Sequence, residues 1–345
     1  MIPYFLMFTC LVIFSLFKGN DRRVLNASMI ILGIFCAMRG NNVDRDYETY
    51  ISIYTYIIEG YSYAIEPTFH LLSIISNTLT GTPFLIFCVY AGLAIYFKIK
   101  FIEYWSPYLL LSVLLYFSNV YLLHEMTQIR IGLASAIGFF SLKYLITAEK
   151  KKYFIWVFIA MTFHFSMAVF FLLPLLNSKR LSGRYVTIYW ISIILLYFLS
   201  YYKIDLSVFI KYFDIGIINS KYDLYREQGE NNDASVNIYS AMQYFHLFVI
   251  FLSMVYRDSF RYDEKYIIML KIYSLGPLSL LVFSNVPGFS LRLSELFNVG
   301  EIVLLPMLVS HIKQIKLAYL SVILISLCLL LINLYYLSLL KEYSI

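Results

Sequence analysis

Six residues stand out because of where they sit in the chain. Arg39, Glu66, Gln128, Arg130, His164 and Arg292 each lie within, or at the edge of, a run of apolar residues. Arg39 opens the stretch RGNNVDRDYETY, which adds Asp44, Asp46, Tyr47 and Tyr50. Glu66 precedes Pro67, Gln128 and Arg130 open the small-residue run that includes GLASAIG, and Arg292 lies in SLRLSELF. Ionisable groups at membrane depth are costly and mark function by default. Arginine offers permanently charged, bidentate contacts to phosphate, and a carboxylate or imidazole can take the proton of a hydroxyl. Three arginines, several carboxylates and a histidine at one face would make an anion-binding catalytic pocket. Each has a plainer reading. An arginine at a helix end is often a snorkelling anchor, and a lone histidine is often a satisfied buried one. Asp44 and Asp46 could solvate a loop, Glu66 could favour a helix start, and Glu295 and Glu301 could pair with Arg292. The plain readings weaken because the groups collect at one face.

The frame that must position these groups is apolar almost throughout. Of 345 residues, 14% are charged, where a soluble domain carries about 25%. Counted without its 33 Tyr and with its 14 Gly, the chain is roughly 55% apolar, above the usual ~45–50%. Too little charge remains to cover a soluble surface. We therefore expect an all-α, polytopic integral membrane protein, a single multi-pass domain over 1–345. At roughly 20 apolar residues per crossing it would hold about 10–12 transmembrane or re-entrant helices.

Several functions are excluded by the same residues. The net charge of +6 comes from short basic clusters between apolar runs and forms no stripe for nucleic acid. Cys10, Cys36, Cys88 and Cys328 lie inside apolar runs without a CxxC, so neither a disulfide framework nor a metal site is expected. No Walker or GxGxxG motif is present, so no nucleotide cofactor is expected. The first apolar run is followed by KGNDRR and reads as a retained anchor.

Basic clusters orient the chain. Lys18, Arg22 and Arg23; Lys98 and Lys100; Lys150 to Lys152; Lys179, Arg180 and Arg184; Arg257, Arg261 and Lys265; and Lys313 and Lys316 should all be cytoplasmic. Residues 39–66 and 203–238 then become extracytoplasmic loops, and Ser284 to Phe297 also faces outward. Two stretches break the parity of crossings. Residues 153–175 lie between two basic clusters, which a broken or re-entrant hairpin with His164 at its tip would satisfy. For 66–97, either 67–80 is a partial helix or 50–65 dips into the membrane as well.

The ordered set of motifs resembles one family. Arg39-Gly40 with Asp46-Tyr47-x-x-Tyr50, then Glu66-Pro67-x-Phe69, Gln128-x-Arg130, Phe163-His164-x-Ser166, and Arg292-x4-Phe297 running into Pro306 is similar to the EpsG family. That family is a Wzy-like group of bacterial polysaccharide polymerases. Two departures are visible: Asn41-Asn42-Val43-Asp44-Arg45 replaces a glycine-rich approach to the aspartate, and Ile131 follows Arg130 where a Gln is common.

The resemblance implies glycosyltransfer at the outer face of the bacterial cytoplasmic (inner) membrane. Undecaprenyl-pyrophosphate-linked oligosaccharide repeats would be joined into O-antigen, capsular or exopolysaccharide, without a cofactor. Chain-length regulator and flippase proteins would be partners. Arg39, Gln128, Arg130, Arg292, Tyr47 and Tyr50 would contact substrate. The base would be Asp46, His164, Asp44 or Glu66, with Asp46 preferred and Asp44→Asn expected to be the milder change. Competing readings are a flippase or exporter of lipid-linked glycan, a membrane O-acyltransferase, and a scaffold of an export complex.

The charge pattern predicts opposite sides for Ser178 and Asn231. In a chain stripped of its native cysteines, Asn231→Cys should react with an impermeant thiol reagent from outside and Ser178→Cys should not. Equal labelling would overturn the hairpin.

Overall fold

The computed structural model describes residues 1–61, 65–176, 178–202, 204–206 and 236–344. Most of the 203–238 segment expected as an outer loop lies outside the described residues. Among these residues the fold is all-α, with α1 Ile2–Lys18, α2 Arg22–Ala37, α3 Tyr47–Ile58, α4 Pro67–Thr80, α5 Phe84–Trp105 and α6 Leu109–Tyr116. A π-helical turn, Phe117–Glu125, extends α6. Then follow α7 Ile129–Ser141, α8 Lys143–Ile146, α9 Lys150–Phe163 and a 3₁₀ helix Phe165–Leu175. After them come α10 Gly183–Tyr201, α11 Ala241–Val255, α12 Glu264–Val282, α13 Pro287–Asn298, α14 Glu301–Val309 and α15 Ile315–Leu331. Five helical stretches are long and apolar enough to cross a bilayer: Phe84–Trp105, Ile129–Ile146, Gly183–Tyr201, Glu264–Val282 and Ile315–Tyr336. The chain is a multi-pass membrane protein.

The chain forms two compact units. The first comprises Met1–Pro174 and Ile302–Ile345, the second Leu175–Glu301. In the first unit α5 packs on α7, with 61% of the Phe84–Trp105 span and 72% of the Ile129–Ile146 span buried, and every residue of α6 is buried, chiefly against α1, α15 and the π turn. In the second unit α12 is the buried helix, at 78%, whereas α10 is only 17% buried. Ile188, Ile191, Ile194 and Phe198 of α10 are exposed. An apolar helix so little covered by protein is suited to face lipid.

The ambiguous stretch before α5 resolves into two short helices. At 1.5 Å per residue α3 is about 18 Å long and α4 about 21 Å, short of the ~30 Å hydrocarbon core, while α5 reaches about 33 Å. Residues 67–80 are thus a short helix, the 50–65 stretch is helical as far as Ile58, and of these three helices α5 alone has the length to cross. Gly81 makes the α4–α5 reversal: its φ of +64° is left-handed, and its N–H closes on the Asn77 carbonyl. A side chain there would be strained.

His164 breaks the next helix. Its backbone is extended, φ −158° and ψ 124°, and the chain reverses there. Tyr153, near the start of α9, donates its hydroxyl to the Phe170 carbonyl at 2.6 Å, and Phe154 stacks with Phe171 at 5.9 Å. The arms match in length, since 14 α-helical residues rise about 21 Å and 11 residues of 3₁₀ helix about 22 Å.

Lys98, counted with Lys100 in a short basic cluster, is buried. It lies inside α5, about 21 Å along the helix from Phe84, and is 0% exposed, because its face of α5 meets Glu125 and Ser135, whereas Lys100 two residues on is partly exposed.

Close approach of backbones holds the first unit together, as expected where lipid supplies no hydrophobic drive between helices. A Cβ at Gly132 would stand 2.5 Å from the His124 carbonyl oxygen, whereas one at Gly92 would meet nothing within 4 Å. Gly132→Ala should therefore cost about 1–3 kcal/mol by overpacking. Gly92→Ala should be neutral or slightly stabilising. Thermal unfolding of the detergent-purified protein checks both.

Candidate active site

The loop between α2 and α3 is shaped by a buried ion pair. Arg39 Nε donates to Asp44 Oδ2 at 2.7 Å, with 1% and 0% of the two side chains exposed. Arg39 Nη1 donates to the Cys36 carbonyl at 3.0 Å. The second Asp44 oxygen, Oδ1, accepts the Asp46 N–H at 2.9 Å, which sets Asp46 as the half-buried residue that starts α3. The C-terminal tail closes this loop from the other side. Lys341 N–H donates to the Val43 carbonyl and Gly40 N–H to the Ser344 carbonyl, both at 2.8 Å. Tyr343 stacks on Phe35 at 3.9 Å.

A second pair lies further along the chain. Glu66 and Arg130 Nη1 form an ion pair whose carboxylate side chain is 4% exposed and whose guanidinium side chain is 23% exposed. The other Glu66 oxygen faces the Phe165 N–H at 3.5 Å. One carboxylate thus joins the start of α4, the start of α7 and the tip of the hairpin. Next to it, His164 Nδ1 receives the Ser166 N–H at 3.3 Å and faces the Ser166 hydroxyl at 2.7 Å. A neutral imidazole whose Nδ1 accepts carries its proton on Nε2. His164 therefore presents an N–H donor there.

Aromatic rings connect the two pairs. The Arg39 guanidinium lies 4.9 Å from the Phe87 centroid, and Phe87 stacks on Tyr47 at 4.8 Å. Arg130 lies 5.9 Å from Tyr50 and 6.0 Å from Phe69. Contacts from Tyr50 to Phe87 and Phe69, from Phe69 to Tyr90, and from Tyr90 to Phe163 complete a wall that ends beside His164. Tyr50 is buried within it. Such rings accept a weakly hydrated guanidinium and hold it in one plane.

Each arginine keeps a donor in hand. Buried Arg39 Nη2 and Arg130 Nε find no hydrogen-bond acceptor among the described residues, and Gln128 Oε1 finds no donor. Fixed, partly neutralised guanidiniums with unused N–H groups suit a bound anion rather than a free cation.

The structure thus brings together most residues expected from the sequence. Arg39, Asp44, Asp46, Tyr47 and Tyr50 form one group, and Glu66, Arg130 and His164 form its neighbour across the ring wall. Gln128 begins α7. Arg292 lies half-buried on α13 in the second unit. Lys98, His124, Glu125 and His246 are not picked out as site residues from the sequence. Lys98 Nζ lies 3.8 Å from Glu125 Oε1, with both side chains buried, and Ser135 Oγ stands 3.4 Å from His124 Nδ1. Counting helical rise from Phe84 would have found Lys98, and His124-Glu125 interrupts an otherwise apolar stretch. In the second unit His246 Nδ1 meets the Tyr273 hydroxyl at 2.7 Å and lies 3.6 Å from Glu301. No group of His, Cys, Asp and Glu suited to a metal ion occurs among the described residues.

Burial changes what Asp44→Asn should do. Removing one charge from a buried pair typically costs about 3–5 kcal/mol. Asp44→Asn should therefore destabilise the protein more than Glu66→Gln, whose arginine partner is partly exposed. Denaturation of the two purified variants decides, and equal losses would show that burial of the Arg39 pair adds nothing.

Comparison with curated proteins and with solved structures returned no match. The family model that matches covers residues 22–345, nearly the whole chain, and is that of the EpsG family. The chain belongs to the EpsG family, a family of Wzy-like polysaccharide polymerases.

Proposed function

We propose that the protein is a membrane glycosyltransferase that joins undecaprenyl-pyrophosphate-linked oligosaccharide repeats into O-antigen, capsular or exopolysaccharide at the outer face of the bacterial inner membrane. The observation that carries the reading is the pair of arginines on the aromatic wall, each held by one carboxylate and each with a buried N–H lacking an acceptor among the described residues. A pyrophosphate leaving group needs fixed positive charge that is already in place as negative charge develops on it. Arg39 and Arg130 supply it. Arg292 is assigned to substrate by the family pattern alone.

The acceptor hydroxyl must lose a proton as its oxygen attacks the anomeric carbon and the C–O bond to pyrophosphate breaks. Asp44 and Glu66 are each held by a guanidinium, and neutral His164 offers an N–H. Asp46, which begins the Asp-Tyr-x-x-Tyr pattern at the start of α3, is the base we favour. His164 suits a hydrogen bond to a phosphate or sugar oxygen. A growing-chain regulator and a flippase would work beside the enzyme.

A flippase remains the second reading, because Lys98 and Glu125 place charge well inside the membrane. Lys98 lies 11 residues beyond Phe87, about 16 Å deeper along α5. The two readings separate in a gene-deleted strain. Without a polymerase, single lipid-linked repeats accumulate on the outer leaflet; without a flippase they stay inside. Complementation with Asp46→Asn should leave single repeats, since loss of a general base costs about 10²–10⁴ in rate. Arg130→Lys should shorten the polymer while the protein stays in the membrane. Long polymer made normally by the Asp46→Asn protein would move the base elsewhere.

A further inference from the structure

Between the π turn and α7 the chain makes a tight elbow, and Arg130 lies in the first turn of α7 just after it. Gly132 is pressed against the His124 carbonyl oxygen, and Gln128 N–H closes on the Leu123 carbonyl at 2.8 Å. Lys98 reaches this elbow from α5 and touches both of its arms. Its Nζ lies 3.8 Å from Glu125 before the bend and donates to Ser135 Oγ at 3.5 Å after it. Ser135 in turn donates to the Gly132 carbonyl at 2.8 Å. The same elbow is tied to the other arginine. Cys36 Sγ donates to the Glu125 carbonyl at 2.8 Å, and Arg39 Nη1 donates to the Cys36 carbonyl at 3.0 Å.

We propose that Lys98, with Glu125, is a positioning residue for substrate: it bolts the 124–135 elbow so that Arg130, and through Cys36 also Arg39, meets the anionic donor in a fixed geometry. The inference rests on the polymerase reading above. Its physical basis is the low dielectric around a fully buried pair. A lysine and a glutamate there have few alternative partners, so their separation sets the distance between α5 and the elbow. Neither side chain needs to touch the substrate. A π-helical segment ending at such a pair fits this role, since π turns occur frequently at functional sites.

The test uses full-length protein in lipid vesicles with a purified lipid-linked repeat as substrate. The double variant Lys98→Met/Glu125→Gln removes both charges and leaves no lone buried ion, so it should accumulate and melt close to wild type. Its catalytic efficiency should fall about 100-fold, the scale of a small misplacement of binding groups, with most of the loss in KM for the anionic donor. Lys98→Arg, which keeps both contacts, should recover most of that loss. A double variant with wild-type KM and kcat, measured beside an impaired Arg130→Lys, overturns the positioning role and leaves the polymerase reading standing. A wild-type protein that joins no repeats at all overturns the polymerase reading and this inference with it.

Discussion

A carboxylate among apolar helices must find its counter-charge inside the protein, and at Glu66 that requirement organises the first unit. Its two oxygens answer to Arg130 from α7 and to the Phe165 N–H at the hairpin tip, while its own backbone begins α4. Taking either ion out of water costs several kcal/mol, recovered only when geometry and hydrogen bonds are good. The three segments are far apart in sequence, and none could shift without exposing that cost. Their meeting also puts His164 beside the pair.

The same constraint recurs along α5. Arg39, paired with Asp44, lies against Phe87, and Lys98, paired with Glu125, lies 11 residues further along the helix, about 16 Å. Helices can approach closely enough for this because small residues line the contacts: Gly33 against Ile95, Gly132 against His124, Gly138 against Met167. Between the two arginine pairs the rings of Phe87, Tyr50 and Phe69 take the guanidinium faces. The arginines are thereby held in plane, and each has an N–H without an acceptor among the described residues.

The second unit also buries polar groups. Gln243 donates to the Pro277 carbonyl at 3.3 Å, Tyr273 faces His246, and Asn298 packs into the space left by Gly276. Buried polar groups of this kind fix which helix faces meet, because a mispacked arrangement leaves them unsatisfied.

Much of the protein was legible in its residues. Low charge and long apolar runs determined an all-α membrane protein, because only helices and closed barrels satisfy their backbones in lipid. The bracketing of 153–175 by basic clusters pointed to a reversal at His164, and polar residues at the ends of apolar runs picked out Arg39, Glu66, Arg130 and His164. Pairings were beyond its reach. That Tyr50 is buried beneath Arg130 and that the C-terminal tail closes the Asp44 loop depend on contacts between residues tens to hundreds of positions apart, and which aspartate takes Arg39 turns on the shape of that five-residue loop. Lys98 shows why. In sequence it is one of two lysines near a helix end; in three dimensions the rise of the helix and the elbow facing it turn a surface charge into a buried one, and only the folded chain sets that distance.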